Sequence, residues 1–259
     1  MSDSGFILET KDLVKEFGGF VAVSDVSVKV RRGQIHALIG PNGAGKTTLF
    51  NLLTKFVQPT RGTIVFDGDD ITFRGPADIA GSGLVRSFQI SAVFPKMTVL
   101  ENVRVGLQRK LGTSYHFWRS ERSLNQLNDE ATHLLERVGI VDAAASTAGD
   151  LPYGHKRALE LATTLALDPK LMLLDEPTQG MGHEDVARIA DLIKVIASDR
   201  TVLMVEHNMS VVSSIADTIT VLQRGRVIDE GPYEQVSRNP QVIEAYMGSA
   251  AATLGGPAH

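Results

Sequence analysis

The residues Gly40-Pro41-Asn42-Gly43-Ala44-Gly45-Lys46-Thr47 fit the pattern Gly-x-x-x-x-Gly-Lys-Ser/Thr, whose chemistry is the binding of phosphate. Glycines let the backbone curl until its amides converge on phosphate oxygens, and the N-terminus of a following helix adds partial positive charge. Lys46 then reaches the outer phosphates and the Thr47 hydroxyl can ligate Mg²⁺, while Asn42, Gly43, Ala44, Gly45 and Thr48 complete the candidate nucleotide contacts. The bare pattern arises by chance in about one chain in a hundred of this length. Chance does not supply its context, an apolar run ending at Ile39 before it and the helical stretch Thr48-Leu49-Phe50-Asn51-Leu52-Leu53 after it. A second pair, Asp175-Glu176, emerges at the end of Leu171-Met172-Leu173-Leu174, the strand edge at which open α/β sheets bind ligands. Asp175 is suited to hold Mg²⁺ through its water shell, and Glu176 to orient and deprotonate an attacking water. Alone, this segment reads more readily as an acidic turn closing a strand. Beside a phosphate loop it reads as the metal and water site.

The elements that must position these residues follow from periodicity. Ile35-His36-Ala37-Leu38-Ile39, Leu171 to Leu174 and Val202-Leu203-Met204-Val205 are nearly continuous apolar runs, as in parallel strands covered on both faces by helices. Val26-Ser27-Val28-Lys29-Val30 alternates like a half-solvated antiparallel strand, and Phe6 to Thr10 and Thr63 to Phe66 join it in an N-terminal β layer. Ala158, Leu161, Ala162 and Leu165 recur at helical spacing after Gly154, as do Val186, Ile189, Ala190 and Ile193 further on, which predicts crossover helices. From about Thr98 to Gly149 the pattern is helical, through Leu124, Leu127, Ala131, Leu134, Leu135 and Val138, with no buried-strand run. The expected architecture is therefore α/β: a core with a parallel sheet, an N-terminal antiparallel β layer and an inserted helical subdomain. Residues 1–89 and 158–248 form the core and its β layer, and 90–157 the helical subdomain. The tail, 249–259, contains Gly255-Gly256-Pro257, offers little to bury and is expected to be disordered.

Composition excludes several classes. The 259 residues can bury one large core with a satellite, and apolar and charged contents of 43% and 22% argue against disorder or a fibrous repeat. A net charge of -4 with scattered Lys and Arg offers no basic stripe, so no nucleic-acid partner is expected. The absence of cysteine excludes disulfides, Cys-ligated zinc and thiol catalysis. Met1-Ser2-Asp3-Ser4-Gly5 lacks a basic n-region, so no secretory signal is expected. No apolar run approaches the roughly 20 residues needed to cross a bilayer, so a membrane role would have to come through a partner.

The order and spacing of further motifs resemble the ATP-binding-cassette family over nearly the whole chain. The Asp175 segment resembles its Walker B strand. Ser87-Phe88-Gln89 resembles the Q-loop, which implies that Gln89 touches Mg²⁺ and the attacking water and adjoins a membrane-subunit contact. Val205-Glu206-His207 resembles the switch segment, which implies an imidazole on the γ-phosphate. Phe17, in Glu16-Phe17-Gly18-Gly19, matches the aromatic that stacks on adenine. Singly, each has a plainer reading: Phe17 in the core, Gln89 on the surface, His207 as a structural group. Leu151-Pro152-Tyr153-Gly154-His155-Lys156-Arg157 stands where the family signature Leu-Ser-Gly-Gly-Gln belongs and departs from it at Pro152, Tyr153 and His155. In the family this loop meets the γ-phosphate bound by an opposite subunit, so two ATP molecules lie between two chains. Pro152 supplies neither hydroxyl nor amide hydrogen but suits a helix start, leaving the Gly154 amide and the helix N-terminus to carry the contact, or else a helix start with no ligand.

The resemblance implies an ATPase binding ATP and Mg²⁺, with Glu176, His207 and Gln89 as catalytic residues, Thr47, Gln89 and Asp175 around the metal, and Phe17 and Gly154 among the nucleotide contacts. The guanine-reading Asn-Lys-x-Asp of GTPases is missing, for no Asn-Lys pair occurs. One compact cassette without membrane helices resembles the separate subunits of bacterial importers. That implies transmembrane permease subunits, a second ATP-binding subunit (the same chain or another), indirect contact with a periplasmic or extracellular substrate-binding protein, and peripheral attachment at the cytoplasmic face of the inner membrane. The resemblance is nearest to branched-chain amino acid importers, through Glu16 to Gly19, Leu151-x-Tyr153-Gly154, Glu206-His207-Asn208-Met209 and Val242-Ile243-Glu244-Ala245-Tyr246-Met247-Gly248. Urea importers and the lipopolysaccharide-extraction ATPase share parts of these, and a nucleotide sensor without transport is the alternative of another class. Tyr115-His116-Phe117-Trp118 either packs within the helical subdomain or meets the membrane subunit.

Overall fold

A computed structural model describes residues 5–87, 93–108 and 127–246. Gln89, Leu124, the Tyr115 to Trp118 cluster, Met247, Gly248 and the tail lie outside the described residues. Two sheets carry the fold. A six-stranded sheet has the order β11-β10-β4-β9-β8-β7, built from Ile35–Ile39 (β4), Leu84–Ser87 (β7), Leu171–Asp175 (β8), Thr201–Val205 (β9), Thr218–Gln223 (β10) and Arg226–Gly231 (β11). All its pairings are parallel except β10 with β11. The three predicted apolar runs are its central strands, β4 and β9 being buried throughout. Their alternate side chains feed two cores, as expected where both faces are covered. Ile35, Ala37 and Ile39 join the helical side, and Leu38 joins the side of the β layer. The apolar-run criterion misses β7 and β10, which Arg86 and Thr220 interrupt, and edge strand β11, which carries Asp229 and Glu230.

The antiparallel layer consists of Phe6–Phe17 (β1), Phe20–Val26 (β2), Lys29–Arg31 (β3), Arg61–Phe66 (β5) and Asp69–Asp70 (β6), with β1 pairing β2, β3 and β5. The predicted strand from Val26 to Val30 is broken. The Thr10 hydroxyl donates to the Val26 carbonyl and accepts from the Val28 amide, while the Asp12 amide donates to Ser27 Oγ, so β2 ends and β3 begins around an inserted side chain.

Helices flank the large sheet: Lys46–Leu53 (α1), Pro76–Ser82 (α2), Val99–Leu107 (α3), Asn128–Arg137 (α4), Tyr153–Leu165 (α5), His183–Ala197 (α6), Met209–Ile215 (α7) and Tyr233–Val236 (α8). Between 93 and 151 the described residues form helices and turns, and α3 packs on α4 and α5. Thr98 and Glu101 close a reciprocal capping box at the start of α3, satisfying two otherwise orphaned donors. Helix α5 runs unbroken through residues 157 and 158, so the boundary drawn there is no break in secondary structure.

Candidate functional site

The candidate residues gather at the carboxyl edge of the parallel sheet, where strand ends leave backbone groups and side chains open. Strand β4 delivers Gly40, β8 delivers Asp175 and Glu176, β9 delivers Glu206 and His207, and β7 ends at Ser87, two residues before Gln89. The loop after β4 closes on itself, the Ala44 amide donating to the Pro41 carbonyl at 3.1 Å. Gly45 caps α1 at φ 101°, with the Ala22 carbonyl 2.6 Å from where a Cβ would sit. Only glycine suits that combination of left-handed backbone and close approach. The loop is tied to its neighbours by Gly225, whose amide donates to Ala44 O and whose carbonyl accepts from Ser24 N.

Lys46 is buried, and its ammonium is held by the loop's own carbonyls, Gly40 at 2.7 Å and Pro41 at 3.1 Å. Burial pushes its pKa down, while the nearby charges of Glu176 and Asp175 oppose that shift. These are the two carboxylates whose sequence context suits metal and water, and the structure brings them to Lys46. Thr47 and Asn42 are exposed at the loop, and Thr48 is half-buried. Gly43 has φ 77° and open space around its missing side chain, room for a ligand to approach the backbone.

Asp175 pairs closely with Arg86 of β7, whose Nη1 also donates to Asn51 Oδ1 of α1 at 2.8 Å. Glu176 stands in the left-handed region at φ 46°, and its Oε1 lies 3.8 Å from His207 Nδ1. Glu206 is fully buried and accepts from the Thr178 amide and hydroxyl, the His207 amide and the Asn208 amide. It binds the turn after Glu176 to the turn that presents His207. Phe17 lies at the tip of the β1–β2 hairpin, opposite Phe20, 47% exposed and with Lys15 Nζ 4.8 Å from its ring. That leaves an aromatic face available for stacking.

Gly154 lies in the first turn of α5, and the nearest atoms to its missing side chain belong to Asp185, at 2.5 Å, not to the phosphate loop. The Tyr153 hydroxyl donates to the Gln179 carbonyl at 3.0 Å. Sequence reasoning overlooked Arg86, Arg157 and the role of Glu206. Arg157 left a signal, for it falls on the stripe of Ala158, Leu161, Ala162 and Leu165, where a charge is out of pattern.

The donor set suits Mg²⁺, which takes one or two protein oxygens and completes its shell with phosphate and water. Among the described residues Thr47 and Asp175 offer those oxygens, and no cluster of three or more metal-ligating side chains occurs.

The chain resembles proteins of known class. The ABC transporter family model matches residues 23–179, and the model described as branched-chain amino acid ATP-binding cassette transporter matches residues 226–252. The chain is 41% identical over 254 residues to the high-affinity branched-chain amino acid transport ATP-binding protein BraF of Pseudomonas aeruginosa, covering 94% of this chain and 98% of that one. It is 37% identical over 251 residues to LivG of Escherichia coli, a protein of the same description, again covering 94% and 98%. Among solved structures, the ADP conformation of an ATP-binding cassette of an ABC transporter superposes with a TM-score of 0.82 at 31% identity, covering 94% of this chain and 99% of that one. A nucleotide-free cassette superposes with a TM-score of 0.81 at 30% identity, covering 93% and 98%. The family match over residues 23–179 and the whole-length identity to these cassettes show that the chain belongs to the ABC transporter family as one of its ATP-hydrolysing cassettes.

Proposed function

We propose that this cassette hydrolyses MgATP to drive a branched-chain amino acid importer, working as a pair with a second cassette on the cytoplasmic side of membrane-embedded permease subunits. The observation that carries the cargo class is the match over residues 226–252, joined to whole-length identity with BraF and LivG. Among the described residues no helix is long and apolar enough to cross a membrane, and in this reading the permease subunits supply the attachment. An apolar groove of about 290 Å³, lined by Phe56, Ile79, Val85, Phe94 and Val105, is bordered by β7 just before Gln89, and a short apolar segment of the permease would fill it.

In this reading the amides of Gly43, Ala44 and Gly45 cradle the β- and γ-phosphates, and the adenine stacks on Phe17. Lys46 leaves the carbonyls of Gly40 and Pro41 for phosphate oxygens, exchanging neutral acceptors for charged ones. Thr47, Asp175 and Gln89 would hold Mg²⁺, which supplies charge neutralisation on the phosphates. Glu176 takes a proton from the attacking water and His207 steadies the γ-phosphate, the two side chains already lying within 3.8 Å. Gly154 of each chain meets the nucleotide of the other. A purified Glu176→Gln variant tests the scheme: it should bind MgATP, lose a factor of about 10²–10⁴ in turnover and dimerise on adding nucleotide. Undiminished turnover removes Glu176 from the role of base. If the variant stays monomeric on its own with MgATP but pairs with a second, different cassette, the homodimer gives way to a heterodimer.

A further inference from the structure

Arg157 has no part in the chemistry described above, yet it is 4% exposed and two of its three described hydrogen bonds converge on one place. Nη1 donates to Glu160 Oε2 at 2.5 Å, Nε to the Pro177 carbonyl at 3.1 Å and Nη2 to the Asp175 carbonyl at 3.2 Å. Those two carbonyls belong to the residues on either side of Glu176. Glu176 itself has φ 46°, a region in which its Cβ crowds the following carbonyl. Such a conformation persists only where the surroundings over-determine it. The surroundings here are Arg157 on one side and, on the other, the Glu176 amide on Val205 O at 2.9 Å and the Glu206 carboxylate on Thr178. A guanidinium is the side chain suited to this, because its planar fork reaches two carbonyls and a carboxylate at once.

We propose that Arg157 is a positioning residue: by holding the carbonyls of Asp175 and Pro177 it fixes the left-handed turn at Glu176 from which that carboxylate faces Lys46 and His207. The inference rests on the reading of Glu176 as the base. It also joins two parts of one chain, because Arg157 stands one helical turn beyond Gly154, the residue proposed to meet the partner's nucleotide. Tilting of α5 on that contact would pass through the guanidinium to the backbone around Glu176, linking the signature of each subunit to its own water-activating residue.

Removing Arg157 alone would strand the Glu160 carboxylate, which is 1% exposed, and risk unfolding. The test is therefore Arg157→Met with Glu160→Met, which removes both charges and keeps apolar volume, with Arg157→Lys as a second variant that keeps the charge but cannot span both carbonyls. Phosphate release and equilibrium MgATP binding are measured for each, with Glu160→Gln as the control that leaves both carbonyl bonds in place. The double variant should keep MgATP affinity and KM within a fewfold of the parent and lose about 10- to 100-fold in kcat. Arg157→Lys should lie between it and the parent, and Glu160→Gln near the parent. A merely structural defect would lower any background equally, so the decisive readout is the cycle with Glu176→Gln. Adding the Arg157→Met and Glu160→Met pair to Glu176→Gln should leave the residual rate unchanged, because the clamp acts only through the replaced carboxylate. Losses that multiply, or undiminished kcat in both Arg157 variants while Glu176→Gln is inactive, overturn the clamp and leave Glu176 as the base. Full activity of Glu176→Gln overturns the base assignment and the clamp with it.

Discussion

His36 offers a pH dependence whose size follows from its surroundings. It lies in β4, the strand that delivers the phosphate loop, and is 1% exposed. Its Nε2 is 2.7 Å from Thr220 Oγ1, and Thr220 in turn donates to Glu230 Oε2 at 2.6 Å. The threonine proton being committed to Glu230, Nε2 carries the imidazole proton and Nδ1 is bare. Nδ1 has no hydrogen-bond partner among the described residues, so a second proton would be buried without an acceptor. Burial accordingly lowers the pKa from 6.5 to about 4. The folded pKa lies below the unfolded one, so between those values the unfolded chain binds more protons. Stability is therefore held above pH 6.5 and lost as pH falls toward 4. At 1.36 kcal/mol per unit the full loss is roughly 3 kcal/mol, of which about 2 kcal/mol falls between pH 7 and pH 5. His36→Leu removes the titrating group and leaves Thr220 on Glu230. Urea unfolding of both proteins at pH 7 and pH 5, without nucleotide, should show the parent losing about 2 kcal/mol more than the variant. Equal losses would refute the argument, because every other group titrates in both proteins and cancels in the difference.

Lys46→Ala should weaken nucleotide binding by about 10- to 100-fold, the value of a charge-assisted hydrogen bond, and calorimetric titration with MgATP checks it. Arg86→Met leaves the Asp175 carboxylate without its cation, so ATP binding in EDTA should weaken severalfold while binding with excess Mg²⁺ changes little; equal effects in both titrations would remove Arg86 from the metal site. Asn208 caps α7 by accepting from the Ser210 and Val211 amides at 3.1 and 3.4 Å, so Asn208→Ala should cost about 1 kcal/mol in urea unfolding.

What the sequence made legible and what it hid differ by range. The loop from Gly40 to Thr47 is a run of residue types at fixed spacing between an apolar strand and a helix, so local rules suffice to place it. Asp175 and Glu176 are legible for the same reason, as acids at the end of a buried strand. Arg86 carries no local mark of its role, because its partner Asp175 is 89 residues away and meets it only once β7 and β8 pair. Glu206 reads in sequence as a polar residue closing a strand, and its function as a fourfold acceptor depends on Thr178, 28 residues earlier. The break of the β layer at Ser27 has the same origin, since it is the Thr10 hydroxyl, 18 residues from Val28, that ends one strand and lets another start. Alternation of apolar and polar residues was preserved across that break, so periodicity had no means of finding it.

The departure of the signature from Leu-Ser-Gly-Gly-Gln also takes on a physical meaning. Pro152 sits at the N-cap of α5 with φ -57° and ψ 156°, makes no side-chain cap, and its carbonyl opens the helix by accepting from Lys156 N at 2.9 Å. A serine there would cap its own helix, competing for the first-turn amides. With proline those amides keep their orphan character, and the helix dipole behind them is unchanged. What the substitution removes from the proposed contact with the partner's γ-phosphate is one hydroxyl donating to a charged acceptor, about 1.5–3 kcal/mol, while the backbone platform at Gly154 is retained. The Tyr153 hydroxyl, bonded to the Gln179 carbonyl, spends its polar group on the turn after Glu176 instead. On this reading the altered signature gives up part of its direct grip on the partner's nucleotide and strengthens the connection within its own chain, which Arg157 makes one turn deeper in the same helix.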